Sequence, residues 1–220
     1  MSPSIIANIV NLGRNSNNDS DSTEKVTLDE FISWYPENTD HRYELHDGVI
    51  VEIPKPKGKH SKLAGFISGK LFVEIQRSQL PFFIPRECII KSRDGKSGYE
   101  PDVIVLDEAA IVNEPRWEAE SIITQGNSVK LIIEVVSTNW RDDYFKKLGE
   151  YEELEIPEYW IFDYLALGGR NFIGNPKQPT ISIYELVEGE YQVTQVRGNE
   201  TLKSPTFPEL NLTVEQIFQL

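Results

Sequence analysis

The sequence holds a single cysteine, Cys88, so no internal disulfide can brace the chain and no cysteine cluster can bind zinc. Cys88 sits in the apolar run 82–90, where a small buried hydrophobe is expected rather than a nucleophile. No apolar stretch approaches the ~20 residues that a membrane-crossing helix needs. The N-terminus lacks the basic region, apolar core and small-residue cleavage site of a secretory leader. The expectation is a cytoplasmic protein with no membrane partner. Basic residues are also scarce: 22 Lys and Arg against 35 Asp and Glu leave a net charge of −13. Such a chain does not coat nucleic acid by charge alone, because phosphate binding draws on lysine and arginine. It remains suited to a divalent cation, whose ligands are clustered carboxylates. Neither G-x-x-x-x-G-K-[ST] nor G-x-G-x-x-G occurs, and no Cys/His spacing suits zinc. Nucleotide-cradling loops are thereby set aside.

What is present is enough for one domain: 220 residues with the apolar and aromatic content of an ordinary globular protein. Residues 11–22 are rich in Asn, Ser and Asp, so 1–25 is expected to be a disordered tail and 26–220 a single domain. Thr27-Leu28-Asp29-Glu30 is a capping-box pattern that opens a short helix to about Trp34. Asp47-Gly48 between apolar arms predicts a hairpin over 42–53. A helix over 60–79 follows from Leu63, Ile67, Leu71 and Ile75 recurring every fourth residue, with His60 on the same stripe. A strand pair is expected at 82–91 and 102–106, joined by the turn 93–98, and 107–126 reads as irregular. Residues 129–136 are apolar at nearly every position, as in a strand covered on both faces. A helix over 141–155 ends before Pro157, and a strand at 159–162 follows. The remainder reads as a hairpin over 181–196 turning at Glu188-Gly189-Glu190, then a second capping box, Thr213-Val214-Glu215-Gln216. This order predicts a mixed α/β (α+β) fold: a mixed central sheet flanked by helices, with a right-handed parallel crossover within 129–162.

An ionised carboxylate in a buried strand is costly unless it is paired or holds a metal. Glu134 interrupts the most apolar strand, and Asp102 opens the apolar run 102–106. Each alone could be a solvated strand-end acid. With Glu44 on a third strand, the three together favour a site for a hard divalent cation. Lys55, Lys57, Lys59, His60 and Lys62 fall within eight residues that contain no acid, which makes either a phosphate-facing patch or a solvated loop.

These residues also carry a resemblance. Tyr43-Glu44-Leu45 with Asp47-Gly48, His60, Pro101-Asp102, Glu134-Val135-Val136-Ser137, Lys147-Leu148 with Tyr151, and Pro157-Glu158-Tyr159-Trp160 with Asp163 occur in this order. The set resembles the bacterial family of putative restriction endonucleases within the PD-(D/E)XK nuclease superfamily, over about 27–187. The resemblance implies a restriction-endonuclease-like core and hydrolysis of phosphodiester bonds in DNA with Mg²⁺ (or Mn²⁺). Glu44, Asp102 and Glu134 would hold the ion. From the basic run itself, His60, Lys59 and Lys62 are expected phosphate contacts, and a homodimer is expected because many restriction-type nucleases act as dimers. The likeness departs at one position: the superfamily's lysine belongs two residues after Glu134, where this chain has Val136. A lysine on the following helix is then implied. At ~100° per residue, Lys147 falls within the stripe of Tyr144, Leu148, Tyr151 and Leu154, whereas Lys146 points the other way. Lys147 is the expected catalytic lysine. Tyr151, Tyr159, Trp160 and Asp163 read as structural.

Two other readings stay open. A nuclease-fold module that has lost cleavage would bind nucleic acid or a protein partner, and Val136 and the acidic balance favour it. A glycosidase would also use paired acids, but with no metal.

Overall fold

The computed structural model describes residues 9–11, 25–36 and 41–220. The fold is mixed α+β, and the described residues form twelve strands in two mixed six-stranded sheets. The first sheet contains β1 (Ile9–Asn11), β2 (Arg42–His46), β3 (Val49–Ile53), β5 (Ile89–Lys91), β6 (Gly98–Tyr99) and β8 (Ile122–Ile123), in the order β1-β3-β2-β6-β5-β8. The second contains β4 (Phe82–Phe83), β7 (Val103–Asp107), β9 (Val129–Val135), β10 (Glu158–Asp163), β11 (Thr180–Val187) and β12 (Glu190–Val196), in the order β12-β11-β10-β9-β7-β4. The helices are α1 (Leu28–Trp34), α2 (Gly58–Ser78), α3 (Trp117–Glu120), α4 (Leu148–Glu153), α5 (Arg170–Ile173) and α6 (Val214–Phe218).

Local signals explain the element ends. Thr27 accepts from the Glu30 N–H while the Glu30 carboxylate reaches back to the Thr27 N–H, and Thr213 with Gln216 repeats the arrangement ahead of α6. The β2–β3 turn has positive φ at both Asp47 (55°) and Gly48 (79°). That is the backbone a tight two-residue hairpin demands. Glu188 (54°) and Gly189 (89°) do the same between β11 and β12. Leu63, Ile67, Leu71 and Ile75 of α2 are all buried.

The central strands of the second sheet are covered on both faces, as the near-continuous apolar run of β9 requires. Leu131 and Ile133 pack with the α2 stripe, Trp160, Phe162 and the C-terminal residues Phe207 and Ile217. Ile132 and Val136 pack on the opposite side with Tyr144, Tyr151, Tyr159 and Ile161. Strands β9 and β10 pair in parallel, matching Glu134 with Ile161, as the expected crossover requires.

The structure corrects several expectations. The segment 82–91 is two strands in different sheets: Phe82–Phe83 pairs with β7, and Ile89–Lys91 pairs with β6 and β8. The turn 93–98 therefore joins β5 to β6 and does not lead into 102–106. One central sheet becomes two, because the hairpin arm after Cys88 extends the β2–β3 sheet. Within 107–126 lie a 3-10 turn, α3 and β8. The expected helix over 141–155 winds as π turns at Asp142–Lys147 and continues as the α-helix α4. Of the expected tail, Ile9–Asn11 pairs in parallel with β3. Residues 1–8 and 12–24 lie outside the described residues. Among the described residues, no helix is long and apolar enough to cross a membrane.

Candidate functional site

One cleft, between the β2–β3 hairpin and the ends of β9 and β10, collects the acids singled out above. Glu44, Asp102, Glu134 and Lys147 all line it, together with His60, Arg42, Glu100 and Asp143. Each is placed by a different element. Glu44 is on β2 and shares a strand face with Arg42 and His46 by the two-residue period. Asp102 immediately precedes β7. Glu134 lies near the end of β9, on the face shared with Ile132 and Val136. Lys147 closes the π turns, a winding found often at functional sites.

Lys147 ties two of the acids together. Its Nζ is 2.9 Å from Glu134 Oε1 and 3.2 Å from Glu44 Oε1, and all three side chains are almost fully buried. Tyr151, expected to be purely structural, also reaches the site: its hydroxyl donates to Glu134 Oε1 at 3.3 Å. Glu44 is further held by the Glu100 N–H, 3.1 Å from Oε1, and by His46, whose Nε2 is 2.7 Å from Oε2. Asp102 Oδ2 accepts from the Val135 N–H at 2.8 Å, which fixes it next to Glu134. The same oxygen is 3.3 Å from His60 Nε2.

The electrostatics are those of a site with more buried negative charge than cation to balance it. Burial raises the Glu134 carboxyl to about 7, with Asp102 and Glu44 adding to the rise and Lys147 opposing it. Burial also works to raise Glu44, but Lys147, His46 and the Glu100 N–H outweigh it and hold Glu44 down at about 2. Burial lifts Asp143 well above the carboxylate range, again against Lys147. For Lys147, burial favours the neutral amine, yet Glu134, Glu44 and Asp143 outweigh it and keep the ammonium charged. Burial likewise lowers His60, and its contact with Asp102 more than restores it, so the net shift is upward.

The acids of the cleft offer carboxylate oxygens, the donor type that hard divalent cations take. As they stand, no three His, Cys, Asp or Glu side chains among the described residues form a group that could hold a metal ion. Lys147 takes the contacts to Glu44 and Glu134 that a cation would share.

The phosphate-facing expectation needs revision. Of the basic run, Lys55, Lys57 and His60 line the cleft, while Lys59 and Lys62 do not. Lys59 lies over the ring of Tyr164 at 5.4 Å, and Lys62 is exposed on α2. A helix turns its residues through ~100° each, so one helical run cannot aim every charge at one cleft. The sequence reading passed over Asp143, Arg42, His46 and Glu100. Asp143 had a usable signal, since it stands four residues before Lys147 and so on the same side of a helix. His46 had the two-residue spacing from Glu44. Among residues read as structural, Asp163 accepts from the Leu167 and Gly168 N–H groups at 2.9 and 2.7 Å. Trp160 Nε1 donates to Glu158 and the Tyr159 hydroxyl to the Asp143 carbonyl. Cys88 is buried, and burial pushes its thiol up to about 12.

Comparison with known proteins adds an independent line. The model of the Uma2 family, described as "Putative restriction endonuclease", matches residues 28–215. In three dimensions the chain is similar to the crystal structure of a protein from Anabaena variabilis ATCC 29413, described as a putative nuclease belonging to DUF820. The TM-score is 0.66 at 21% identity, over 88% of this chain and 98% of that one. At that identity the likeness establishes the fold. No curated protein matches the chain.

Proposed function

The chain belongs to the Uma2 family of putative restriction endonucleases, and on that premise we propose that it is a divalent-cation-dependent endonuclease acting on DNA. The observation that carries the proposal is the convergence of Glu44 and Glu134 on one buried ammonium, Lys147, with Asp102 held beside Glu134 in the same cleft. Glu44, Asp102 and Glu134 are the residues that would hold Mg²⁺ or Mn²⁺. Held there, such an ion would supply positive charge toward a phosphate and make a water more acidic.

The chain's own groups have separable tasks. Lys147 supplies a fixed positive charge from the helical segment, in place of the strand lysine whose position is taken by Val136. Its burial strengthens its interaction with charge that develops on a phosphate during hydrolysis. The Val135 N–H holds Asp102 in one orientation, and the Glu100 N–H and His46 do so for Glu44. Such supporting contacts limit the freedom of prospective ligands. His60, near the start of α2, has Nε2 3.3 Å from Asp102 Oδ2 and would serve to orient that acid.

A second reading is a binding module of the same fold that no longer cuts. Two observations favour it: Val136 at the usual lysine position, and Lys147 in contacts a cation would share. Incubation of the full chain with supercoiled plasmid and Mg²⁺ or Mn²⁺ separates the two. Nicking that Asp102→Ala abolishes supports the endonuclease. Absence of nicking with either ion, and of any rise in melting temperature on adding them, overturns it.

A further inference from the structure

Arg42 is a cation in this cleft whose hydrogen bonds, among the described residues, go to Glu100 and not to Glu44, Asp102 or Glu134. On β2 it stands two residues before Glu44, so both side chains leave the same face of the strand. The guanidinium lines the cleft and is 32% exposed, in contrast to the buried Lys147. Its Nε donates to Glu100 Oε2 at 3.2 Å and Nη2 reaches the Glu100 carbonyl at 3.4 Å. Nη1 has no hydrogen-bond partner among the described residues. Glu100 also donates its N–H to Glu44 Oε1, so one residue sets the spacing between the prospective ion ligand and the arginine. Lys57 lines the same opening.

A guanidinium presents donors in a planar fork that suits phosphate oxygens two at a time. Arg42 is partly exposed, whereas Lys147, Glu44 and Glu134 are buried, so Arg42 is the more solvent-facing of these groups. The phosphates of a strand recur at short, regular intervals, so a strand with one phosphate at the acids offers another nearby. We propose that Arg42, oriented by Glu100, grips a phosphate neighbouring the one that reacts, and that the substrate is therefore a polynucleotide strand with phosphate beyond the cut. This rests on the nuclease reading above and adds to it what the site requires of its substrate.

The test compares two substrates: a 12-nucleotide oligomer, and bis(4-nitrophenyl) phosphate, which has a single phosphodiester. Arg42→Gln keeps the side chain long and polar, which guards against a folding failure, and Arg42→Lys keeps the charge without the fork. Arg42→Gln is expected to raise KM for the oligomer about 10-fold, with kcat moving less. The loss on the oligomer should exceed that on the small diester at least about 5-fold. Arg42→Lys should fall between. Equal losses on both substrates, or none on the oligomer, overturn the proposal. If the wild type hydrolyses neither substrate, the nuclease reading fails, and binding of labelled oligomer across salt concentrations decides the role of Arg42. A salt slope lower by about one in Arg42→Gln supports it. An unchanged slope, or no binding by the wild type, overturns it.

Discussion

Replacing Lys147 by methionine removes the one ammonium that contacts both Glu44 and Glu134 while keeping most of the buried volume. Those contacts are 3.2 and 2.9 Å long, and all three side chains are buried. Taking one partner from a buried ion pair leaves uncompensated charge and costs ~3–5 kcal/mol. For a chain of this size each kcal/mol is worth ~2–4 °C, so the melting temperature of metal-free protein should fall by ~6–20 °C at pH 8. The loss should depend on pH in a defined direction. Glu134, at about 7, is ionised at pH 8 and neutral at pH 5, whereas Glu44, at about 2, is ionised at both. In the wild type Lys147 therefore faces two ionised carboxylates at pH 8 and one at pH 5, so its loss should cost less at pH 5 than at pH 8. Urea denaturation in EDTA at the two pH values measures this. Addition of Mg²⁺ should then recover more stability in the variant than in the wild type, since a cation restores the missing charge. A loss below ~1 kcal/mol at pH 8, or an equal loss at both pH values, would refute the reasoning.

The wild type itself should show the same electrostatics. Glu134 is raised above its ordinary value, so the folded state holds that proton more tightly than the unfolded chain. Metal-free stability should therefore fall as pH rises from about 4.5 to about 7, by ~3 kcal/mol, with Asp143 acting in the same direction. Glu44 works oppositely: its contribution is complete above about 4.5 and is lost as pH falls towards about 2. A urea-midpoint profile in EDTA that is flat from pH 5 to 8 would contradict this. Glu158→Ala should cost ~3 kcal/mol, because it strands the donors Trp160 Nε1, Ser204 Oγ and the Thr206 N–H, which reach it at 2.7, 2.9 and 3.1 Å. Equilibrium unfolding measures it, and a change under ~1 kcal/mol would be wrong for this network. Gly126→Ala should be at least as damaging, since its new Cβ would lie 1.8 Å from the Leu154 carbonyl oxygen. Soluble expression and melting temperature report it. Cys88 should resist a thiol reagent at pH 8 in the native state and react once the chain is unfolded, because its thiol is buried and pushed up to about 12.

Several features were legible in the sequence because their causes are local. A capping box needs four residues, so Thr27 with Glu30 and Thr213 with Gln216 announce α1 and α6. A two-residue turn needs positive φ, so Asp47-Gly48 and Glu188-Gly189 announce their hairpins. The unusual acid in the apolar run of β9 marks Glu134, because burying an unpaired charge there is too costly to be incidental. The helical wheel also separates Lys147 from Lys146, although the segment winds as π turns: Lys147 is buried, while Lys146 is exposed and pairs with Asp142.

Tertiary structure alone decided the rest, and the reason is range. Nothing within 82–91 says that its two ends join different sheets, because that is settled by partners at Asp107 and Gly98. Nor does the run 55–62 say which of its lysines face a cleft whose other walls come from β9 and β10. The neighbours of a buried charge are likewise long-range: Lys147 meets Glu44 across 103 positions of sequence, and Arg42 meets Glu100 across 58. The sequence by itself marked Glu44, Asp102, Glu134 and Lys147, because an acid in an apolar strand and a lysine on a packed helix face are local patterns. Only the folding of distant strands against one another determined which of them touch, and with that the charge state of each.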